Sequence, residues 1–517
     1  CIGIWSSRQI KTATDYIVAG RRLGLPLVTG TLFATWFCAG TVMGSPAQAY
    51  LFGNQGTIFD PWSAALCLIL AGMLFNRLMR RGRYVTAADF FDIRFGKKMG
   101  VMAAIVLIIA QMGWVGSMLV AFGVILQYFS GLPLAWGIII SSAVVVAYTY
   151  LGGMWSVTLT DMYQAGLLTL GLLIMLPIAI SHVGGWDSFI ANAANWAELP
   201  AFALTPTADA GYLGYFALPG WFYYIGAWLS IGLGSICSQD LMQRTLSARD
   251  EKTASYAGYL AGILYLTVGM IPVLLGIVAF DVFPNLSIAE TEMIMPMLAV
   301  KFLPPILMVI FVAGVVAAIM SSCDSALLAA SSILGYNVVR YFRADASDEL
   351  ELKTTRICVP IVTIVSLLLA LYLETIYMLM VIAWSIILVG LVAPYAAGYF
   401  WRKANESGAI AALIAGFGSW VGFIYYYLPL TTDANIGVIE EGVPYMDWAI
   451  WDAVYMGSVP AFIVSIAALI IVSLATQKIN EPRPLADIDG NPLKLVNWAG
   501  WGFGKSKTIE TIDTKAG

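Results

Sequence analysis

The chain has 517 residues, of which 60% are hydrophobic and only 11% are charged, and its mean hydropathy is +0.82. Soluble globular domains carry about 25% charged residues, so this composition excludes a single soluble domain and indicates a polytopic membrane protein. The net charge of −4 and the pI near 5.2 exclude a nucleic-acid-binding role that rests on a basic surface.

Apolar segments long enough to cross a bilayer recur along the whole chain. Because a membrane-spanning helix needs about 20 apolar residues, we predict spans near 26–51, 57–78, 101–129, 134–150, 158–181, 221–240, 254–280, 298–334, 357–373, 376–400, 408–428 and 451–475. Residues 1–5 have the composition of the end of one more, truncated span, which would make about thirteen. We therefore predict a single transmembrane domain over 1–475 and a polar tail over 476–517.

Lysine and arginine are restricted to alternate loops. They fill the segment before residue 26, the loop at 77–100 and the tail, whereas the loops at 182–220 and 281–297 contain none. Cytoplasmic loops carry the excess of basic residues, so the basic loops and the C-terminus are predicted to lie in the cytoplasm. We expect a multi-pass protein of the plasma membrane or a bacterial inner membrane, with the lipid bilayer as its surroundings.

Two spans contain residues that weaken a helix. The first reads "TLFATWFCAGTVMGSPAQAY", and the second reads "AWLSIGLGSICSQDLMQR". They lie five spans apart and, by the charge count, cross the membrane in opposite directions. Transporters built from inverted repeats place their binding site at such a pair of broken helices, where backbone carbonyls are free to bind a cation.

A third span combines hydroxyls with an acid in the stretch "AGVVAAIMSSCDSALLAASS". A carboxylate inside the membrane costs roughly 2.5–3.5 kcal/mol and usually faces an ion or a cavity. A set of oxygen ligands suits a hard cation such as Na⁺, although Na⁺ and H⁺ remain alternatives here, as does simple packing of the small side chains against another helix. Four residues share one helical face, and Asp324 borders it: Ala318, Ser321, Ser322 and Ser325.

Five stretches carry a resemblance to a known family: "FATWFCAG", "RGRYVTAADFFDIRFGKKMG", "YLGGMWSVTLTD", "LMQRTLSA" and "MSSCDSALLAASS". They resemble the sodium:solute symporters, nearest to the high-affinity choline transporter branch, and the resemblance runs from about residue 5 to about residue 473. It implies an all-α fold with a five-plus-five inverted-repeat, LeuT-like core, with repeats over about 26–181 and 221–400. It also implies sodium-coupled import of a small organic solute by alternating access, with Na⁺ as coupling ion and no organic cofactor.

The resemblance also implies ligands for a first sodium site. These would be the backbone carbonyls of Ala34 and Phe37, beside the first break, together with Ala318, Ser321 and the hydroxyl of Ser322. The same helix face follows from the spacing of the serines alone.

A second sodium site, found in some relatives, would match Asp161, Ser321, Asp324 and Ser325. Relatives often carry serine or threonine where Asp324 stands, so this site is altered, and a titratable Asp324 would make it sensitive to protons. For Asp161 we keep a structural alternative, in which its carboxylate caps a helix start at the cytoplasmic end of a span.

For the substrate, the choline-transporter branch implies an aromatic cage, because ring faces hold a quaternary ammonium. Trp36 and Trp114 match two walls of the cage, although core packing is the ordinary role of such residues. The third wall is replaced by Ser238, so a polar group of the substrate could instead reach Ser235, Cys237 or Ser238.

Our first expectation is therefore a carrier for choline or a related quaternary-ammonium or zwitterionic solute. A sodium symporter for a monocarboxylate or an amino acid is the same-fold alternative, and a transporter-derived sensor or receptor subunit is the alternative of another class. An enzyme is not expected, because the chain shows neither a histidine–carboxylate cluster nor a phosphate-binding loop. Expected partners are the solute, Na⁺ and lipid, with no nucleic acid and with a homodimer left open.

Overall fold

The computed structural model describes residues 13–194, 201–207, 211–343, 346–435 and 445–495. Its α-helices, numbered in chain order, are α1 (Ala13–Val18), α2 (Leu25–Trp36), α3 (Ser45–Gly56), α4 (Ala64–Leu70), α5 (Asn76–Gly82), α6 (Ala87–Phe95), α7 (Lys97–Ser130), α8 (Leu134–His182), α9 (Gly185–Ala194), α10 (Ala217–Gly234), α11 (Gln239–Ser247), α12 (Glu251–Val268), α13 (Met270–Val282), α14 (Ile288–Thr291), α15 (Ile294–Phe302), α16 (Pro305–Ser332), α17 (Val338–Phe342), α18 (Asp348–Leu373), α19 (Ile376–Ile387), α20 (Ala393–Phe400), α21 (Glu406–Asn435) and α22 (Tyr445–Ala475). Short π-helical segments join several of them, at Gly40–Gly44, Ile58–Ser63, Ala71–Phe75, Ile333–Asn337 and Leu388–Val392.

The all-α prediction is confirmed, but the count of thirteen spans is not. Within the described residues, nine helices are long and apolar enough to cross a membrane, or ten if the bent pair at the first break is counted as one span. The truncated span predicted at residues 1–5 lies outside the described part of the chain.

Two predicted boundaries differ from the structure. The span predicted at 298–334 is two helices, because α15 ends at Phe302, Leu303 is extended and α16 begins at Pro305. Proline lacks the N–H that a helix interior needs but fits a first turn, so the Pro304–Pro305 pair starts a new helix inside an apolar run. The segments predicted at 134–150 and 158–181 belong to one continuous run of helical residues, α8.

The first predicted break is present. Helix α2 ends at Trp36, and the helical segment that begins at Gly40 is bent from it by 52°. The Cys38 amide, which would bond to the Ala34 carbonyl in a regular helix, bonds instead to the Trp36 carbonyl at 2.8 Å. A Cβ on Gly40 would lie 2.6 Å from the Cε atom of Met380, so the side chain of Met380 on α19 packs directly against the break.

The second predicted break lies slightly later than its glycines suggest. Helix α10 continues through Gly234, a single 3₁₀ turn covers Ser235–Cys237, and Ser238 is extended before α11 begins. The role of Gly234 is close packing, since a Cβ there would lie 2.5 Å from the carbonyl oxygen of Trp384. The two breaks therefore both face α19.

The first part of the predicted tail is packed against the transmembrane domain. The Tyr84 hydroxyl donates to the Ala486 carbonyl at 2.6 Å, and the Ile488 amide donates to the Gly82 carbonyl at 2.9 Å. Arg83 pairs with Asp489 at 2.8 Å. Residues 476–495 thus lie on the same side of the helices as the basic loop at 77–100.

Close packing of α21 gives a stability prediction. A Cβ on Gly416 would lie 2.0 Å from the carbonyl oxygen of Val389, whereas a Cβ on Gly418 of the same helix meets no atom within 4 Å. Gly416→Ala should therefore lower the melting temperature in detergent, by an amount equivalent to about 1–3 kcal/mol of overpacking. Gly418→Ala is the matched control and should leave the melting temperature unchanged or raise it; equal melting behaviour of the two variants would contradict this packing.

Candidate functional site

The residues predicted for the first sodium site lie where the first break meets α16. The Ser322 hydroxyl, which is fully buried, donates to the Ala34 carbonyl at 3.3 Å. That carbonyl is available because the Cys38 amide bonds elsewhere. The other predicted ligands, Phe37, Ala318 and Ser321, are also buried where α2 and α16 pack together. The structure therefore joins the two halves of the predicted site through one direct contact.

Asp161 belongs to the same region but does not cap a helix. It lies within α8, with helix on both sides, so the capping alternative is wrong. Its carboxylate is fully buried and accepts hydrogen bonds from the Thr31 hydroxyl at 2.5 Å and from the Ser321 hydroxyl. Asp161 thus connects α2, α8 and α16, and Thr31 is a further polar residue that the sequence analysis did not single out.

Asp324 has only one of its carboxylate oxygens paired. The Thr149 hydroxyl on α8 donates to Oδ1, while Oδ2 is buried with no hydrogen-bond partner. A buried unpaired carboxylate oxygen is costly unless a proton or a cation compensates it. Ser325, the other predicted ligand, donates its hydroxyl to the Ser321 carbonyl at 2.9 Å, so here it bonds along its own helix.

The substrate-site candidate Trp36 contacts an acid that the sequence analysis missed. Its indole Nε1 donates to Asp240 Oδ2 at 3.0 Å, and Gln111 Nε2 donates to Asp240 Oδ1 at 2.8 Å. Asp240 lies in the first turn of α11, directly after the second break, and is fully buried. The signal was an acid inside an apolar span, within a stretch already noted for its glycines. Both breaks therefore meet at one carboxylate.

Trp114 lies one helical turn after Gln111 on α7, which places it on the same face. Its ring packs against Trp384 of α19, with ring centroids 5.5 Å apart. The Nε1 atoms of both indoles are buried and have no hydrogen-bond partner. Trp384 was also missed from the sequence, and it adds a second aromatic ring beside Trp114.

The remaining candidates line the second break. The hydroxyls of Ser235 and Ser238 are buried without a partner, and the Cys237 thiol lies 4.0 Å from the Gly234 carbonyl. Buried polar atoms ordinarily have partners, so these two hydroxyls have unused hydrogen-bonding capacity.

Arg244, one turn after Asp240 on α11, links the two regions. Its buried guanidinium donates through Nε to the Thr35 hydroxyl at 2.9 Å and through Nη1 to the Asp240 carbonyl at 3.2 Å. Its charge interacts favourably with the carboxylates of Asp161 and Asp240. One arginine therefore partly neutralises two buried acids, and the site as a whole remains acidic.

A cavity of about 420 Å³ leads toward the first break from the side of the loop at 281–297. Its lining includes Gly44 and Tyr377 beside the break, Trp451 on α22, and Glu292 between α14 and α15. Burial raises the pKa of Glu292 to about 7, although a hydrogen bond from the Ile376 amide opposes this. The opening is thus lined by aromatic rings and by a carboxyl group that is about half ionised at neutral pH, and an approaching cation would favour its ionised form.

Two broken helices that meet at one buried carboxylate, with unpaired hydroxyls at the second break, are typical of ion-coupled secondary transporters built on inverted repeats. The comparisons agree with this class. The model of the Sodium:solute symporter family matches residues 16–416, and the chain belongs to this family. It is therefore a multi-pass membrane transporter, with Na⁺ as its coupling ion.

Individual relatives have low sequence identity to this chain, but the matches cover most of its length. The chain is 28% identical to the high affinity choline transporter 1 of Homo sapiens, over 80% of this chain and 73% of that protein. It is 26% identical to the sodium/glucose cotransporter of Vibrio parahaemolyticus, over 89% and 87% of the two chains. A solved Na⁺-coupled sialic acid symporter shares the fold with a TM-score of 0.67 at 21% identity, covering 92% of this chain and 94% of that one. MhsT in complex with L-phenylalanine shares it at 0.53 and 16% identity, covering 88% and 99%.

Proposed function

We propose that the protein imports choline or a related small cation or zwitterion together with Na⁺. The observation that carries the substrate class is the contact between Trp36 and Asp240. An indole face attracts a quaternary ammonium, and a buried carboxylate beside it supplies the opposite charge. The similarity to choline transporters supports the same substrate class.

The charge of Asp240 favours a cationic solute over an anionic one. A monocarboxylate bound at the breaks would face the Asp240 carboxylate, and like charges at short distance in a buried site repel strongly. A zwitterionic amino acid remains the second candidate, because the unpaired hydroxyls of Ser235 and Ser238 could donate to its carboxylate.

Sodium would act through the first break. An ion held by the Ala34 carbonyl and the Ser322 hydroxyl would fix α2 against α16, and Trp36 follows Ala34 by two residues. Binding of sodium would then favour binding of the solute, and by linkage the solute would favour sodium by the same factor. Each inward sodium also gains about 2.3 kcal/mol per 100 mV of membrane potential.

The test is uptake of labelled choline, acetate and proline into proteoliposomes under an inward Na⁺ gradient. We expect uptake of choline that disappears when N-methyl-D-glucamine replaces Na⁺, and no uptake of acetate. Accumulation of acetate in preference to choline would overturn the proposed substrate class, and proline uptake alone would favour the amino-acid alternative.

We further propose that Asp161, Ser321, Asp324 and Ser325 form the second cation site. The unpaired Oδ2 of Asp324 supports it. Asp324→Asn, which keeps the size of the side chain, should lower the Hill coefficient for Na⁺ or change the pH dependence of uptake, measured in the same proteoliposomes. Asp489→Asn, at an exposed acid paired with Arg83, is the control and should change neither. If Asp324→Asn also changes neither, Asp324 has only a structural role.

For topology, we propose that residues 1–475 form one transporter domain with core repeats over about 26–181 and 221–400. We also propose a cytoplasmic C-terminus, in the plasma membrane or a bacterial inner membrane. The packing of residues 476–495 against the basic loop at 77–100 supports the orientation, because basic loops remain on the cytoplasmic side.

A further inference from the structure

A second buried oxygen cluster lies at the first break, around the Trp36 carbonyl rather than the Ala34 carbonyl. Asp60 accepts hydrogen bonds from the Thr41 hydroxyl at 2.8 Å and from the Tyr265 hydroxyl at 2.9 Å. The Trp36 carbonyl lies 2.7 Å from the Tyr265 hydroxyl and 3.1 Å from the Thr41 hydroxyl. These four groups come from four elements, namely α2, the π-helical segments Gly40–Gly44 and Ile58–Ser63, and α12, and all four residues are buried.

The cluster has fewer protons available for hydrogen bonds than it has close oxygen–oxygen contacts. Besides the four contacts above, the hydroxyls of Thr41 and Tyr265 also contact each other, so five contacts link the four groups. A carbonyl and an ionised carboxylate only accept hydrogen bonds, and each hydroxyl donates a single proton. Two protons therefore serve five contacts, and the oxygens repel one another unless a positive charge is added.

Among the described residues, no basic side chain forms an ion pair with Asp60 that would supply this charge. A buried carboxylate without a cationic partner is strongly unfavourable. Gly40 brings the break close to this acid, because a Cβ there would lie 3.1 Å from Asp60 Oδ2. The fold therefore places an uncompensated carboxylate directly against the broken backbone.

We propose that Asp60, Thr41, Tyr265 and the Trp36 carbonyl bind a Na⁺ ion, separate from the ions of the Ala34–Ser322 and Asp161–Asp324 sites. The ligands are carboxylate, hydroxyl and carbonyl oxygens, the set that hard cations prefer. The ion would stabilise Trp36 from the α12 side while the first sodium site stabilises Ala34 from the α16 side. Both would fix the same break, and both would thereby support the solute site at Trp36.

The experiment is thermal unfolding of the purified protein during a NaCl titration, with N-methyl-D-glucamine chloride keeping the ionic strength constant. The dependence of the melting temperature on Na⁺ concentration reports ions that bind only the folded protein. We expect Asp60→Asn to weaken this dependence by the equivalent of about one ion, and the double variant with Ser322→Ala to weaken it further than either change alone.

Asp452→Asn is the matched control, because Asp452 is also a buried acid that accepts from two tyrosines, Tyr215 at 2.5 Å and Tyr223 at 2.7 Å. It should leave the sodium dependence unchanged. The proposal is overturned if the melting temperature of Asp60→Asn depends on Na⁺ concentration as strongly as that of the wild type. If the substitution changes only the dependence of the melting temperature on pH, Asp60 binds a proton instead, and the proposal is also overturned.

If Asp60→Asn does not yield folded protein, Tyr265→Phe and Thr41→Ala take its place. Each removes one proposed ligand and should raise several-fold the Na⁺ concentration that gives half of the sodium-induced increase in melting temperature. If this concentration is unchanged in both variants, the proposal is overturned. The result is separable from the proposed function. If Ser322→Ala weakens the sodium dependence of the melting temperature and Asp60→Asn does not, only the site at Asp60 is contradicted. If Asp60→Asn weakens it and Ser322→Ala does not, only the site at Ser322 is contradicted.

Discussion

Replacing Ser322 with alanine should raise the Na⁺ concentration that gives half-maximal transport by about ten-fold. The Ser322 hydroxyl on α16 is the proposed side-chain ligand, and it donates to the Ala34 carbonyl on α2. Loss of one neutral oxygen ligand costs about 1–1.5 kcal/mol, and 1.4 kcal/mol is ten-fold in affinity. Initial rates of uptake over a series of Na⁺ concentrations measure this directly.

Ser331→Ala is the control on the same helix. Its hydroxyl bonds to the Leu328 carbonyl of its own helix at 3.3 Å, so its removal should leave the sodium dependence unchanged. If Ser322→Ala also shows the wild-type sodium dependence, sodium does not bind between α2 and α16 as proposed.

The second large effect is expected at Asp240. Asp240→Asn keeps the shape of the side chain but removes the negative charge that faces Trp36, so the KM for choline should rise by about 10- to 100-fold. This corresponds to the roughly 1.5–3 kcal/mol that interactions with a charged group contribute. Concentration-dependent uptake at saturating Na⁺ provides the measurement.

Two substitutions at Trp36 distinguish the contribution of its contact with the Asp240 carboxylate from the contribution of its aromatic ring. Trp36→Phe keeps an aromatic face but loses the Nε1 donor to Asp240, and it should raise KM less than Trp36→Ala does. An unchanged KM in Asp240→Asn, together with normal uptake, would show that the carboxylate does not face the substrate.

The sequence predicted those parts of the fold that depend on the length of the apolar segments and on the distribution of basic residues among the loops. The break after Trp36 was visible, because small residues and a proline follow it within an apolar span. The boundary between α15 and α16 was not recognised, because the Pro304–Pro305 pair is embedded in continuous apolar sequence. Hydropathy measures composition along the chain and does not report where a helix turns back.

The candidate site was predictable where its residues share one helix. Ser321 and Ser322 were found because helical spacing places them on a face. Asp240, Trp384 and Asp60 were missed because their partners come from other helices, and Trp36 is 204 residues from Asp240. Periodicity within a span gives the face of a helix but not its neighbour, so contacts across the two repeats appear only in the structure.

Sodium at the first break should favour binding of a cationic solute beside it. Calorimetric titration of choline into the purified protein, in NaCl and in N-methyl-D-glucamine chloride, measures this coupling. We predict a Kd at least about ten-fold lower in Na⁺, corresponding to a coupling free energy within the usual 1–3 kcal/mol, with the difference much reduced in Ser322→Ala. Equal choline affinity in the two salts would contradict the account.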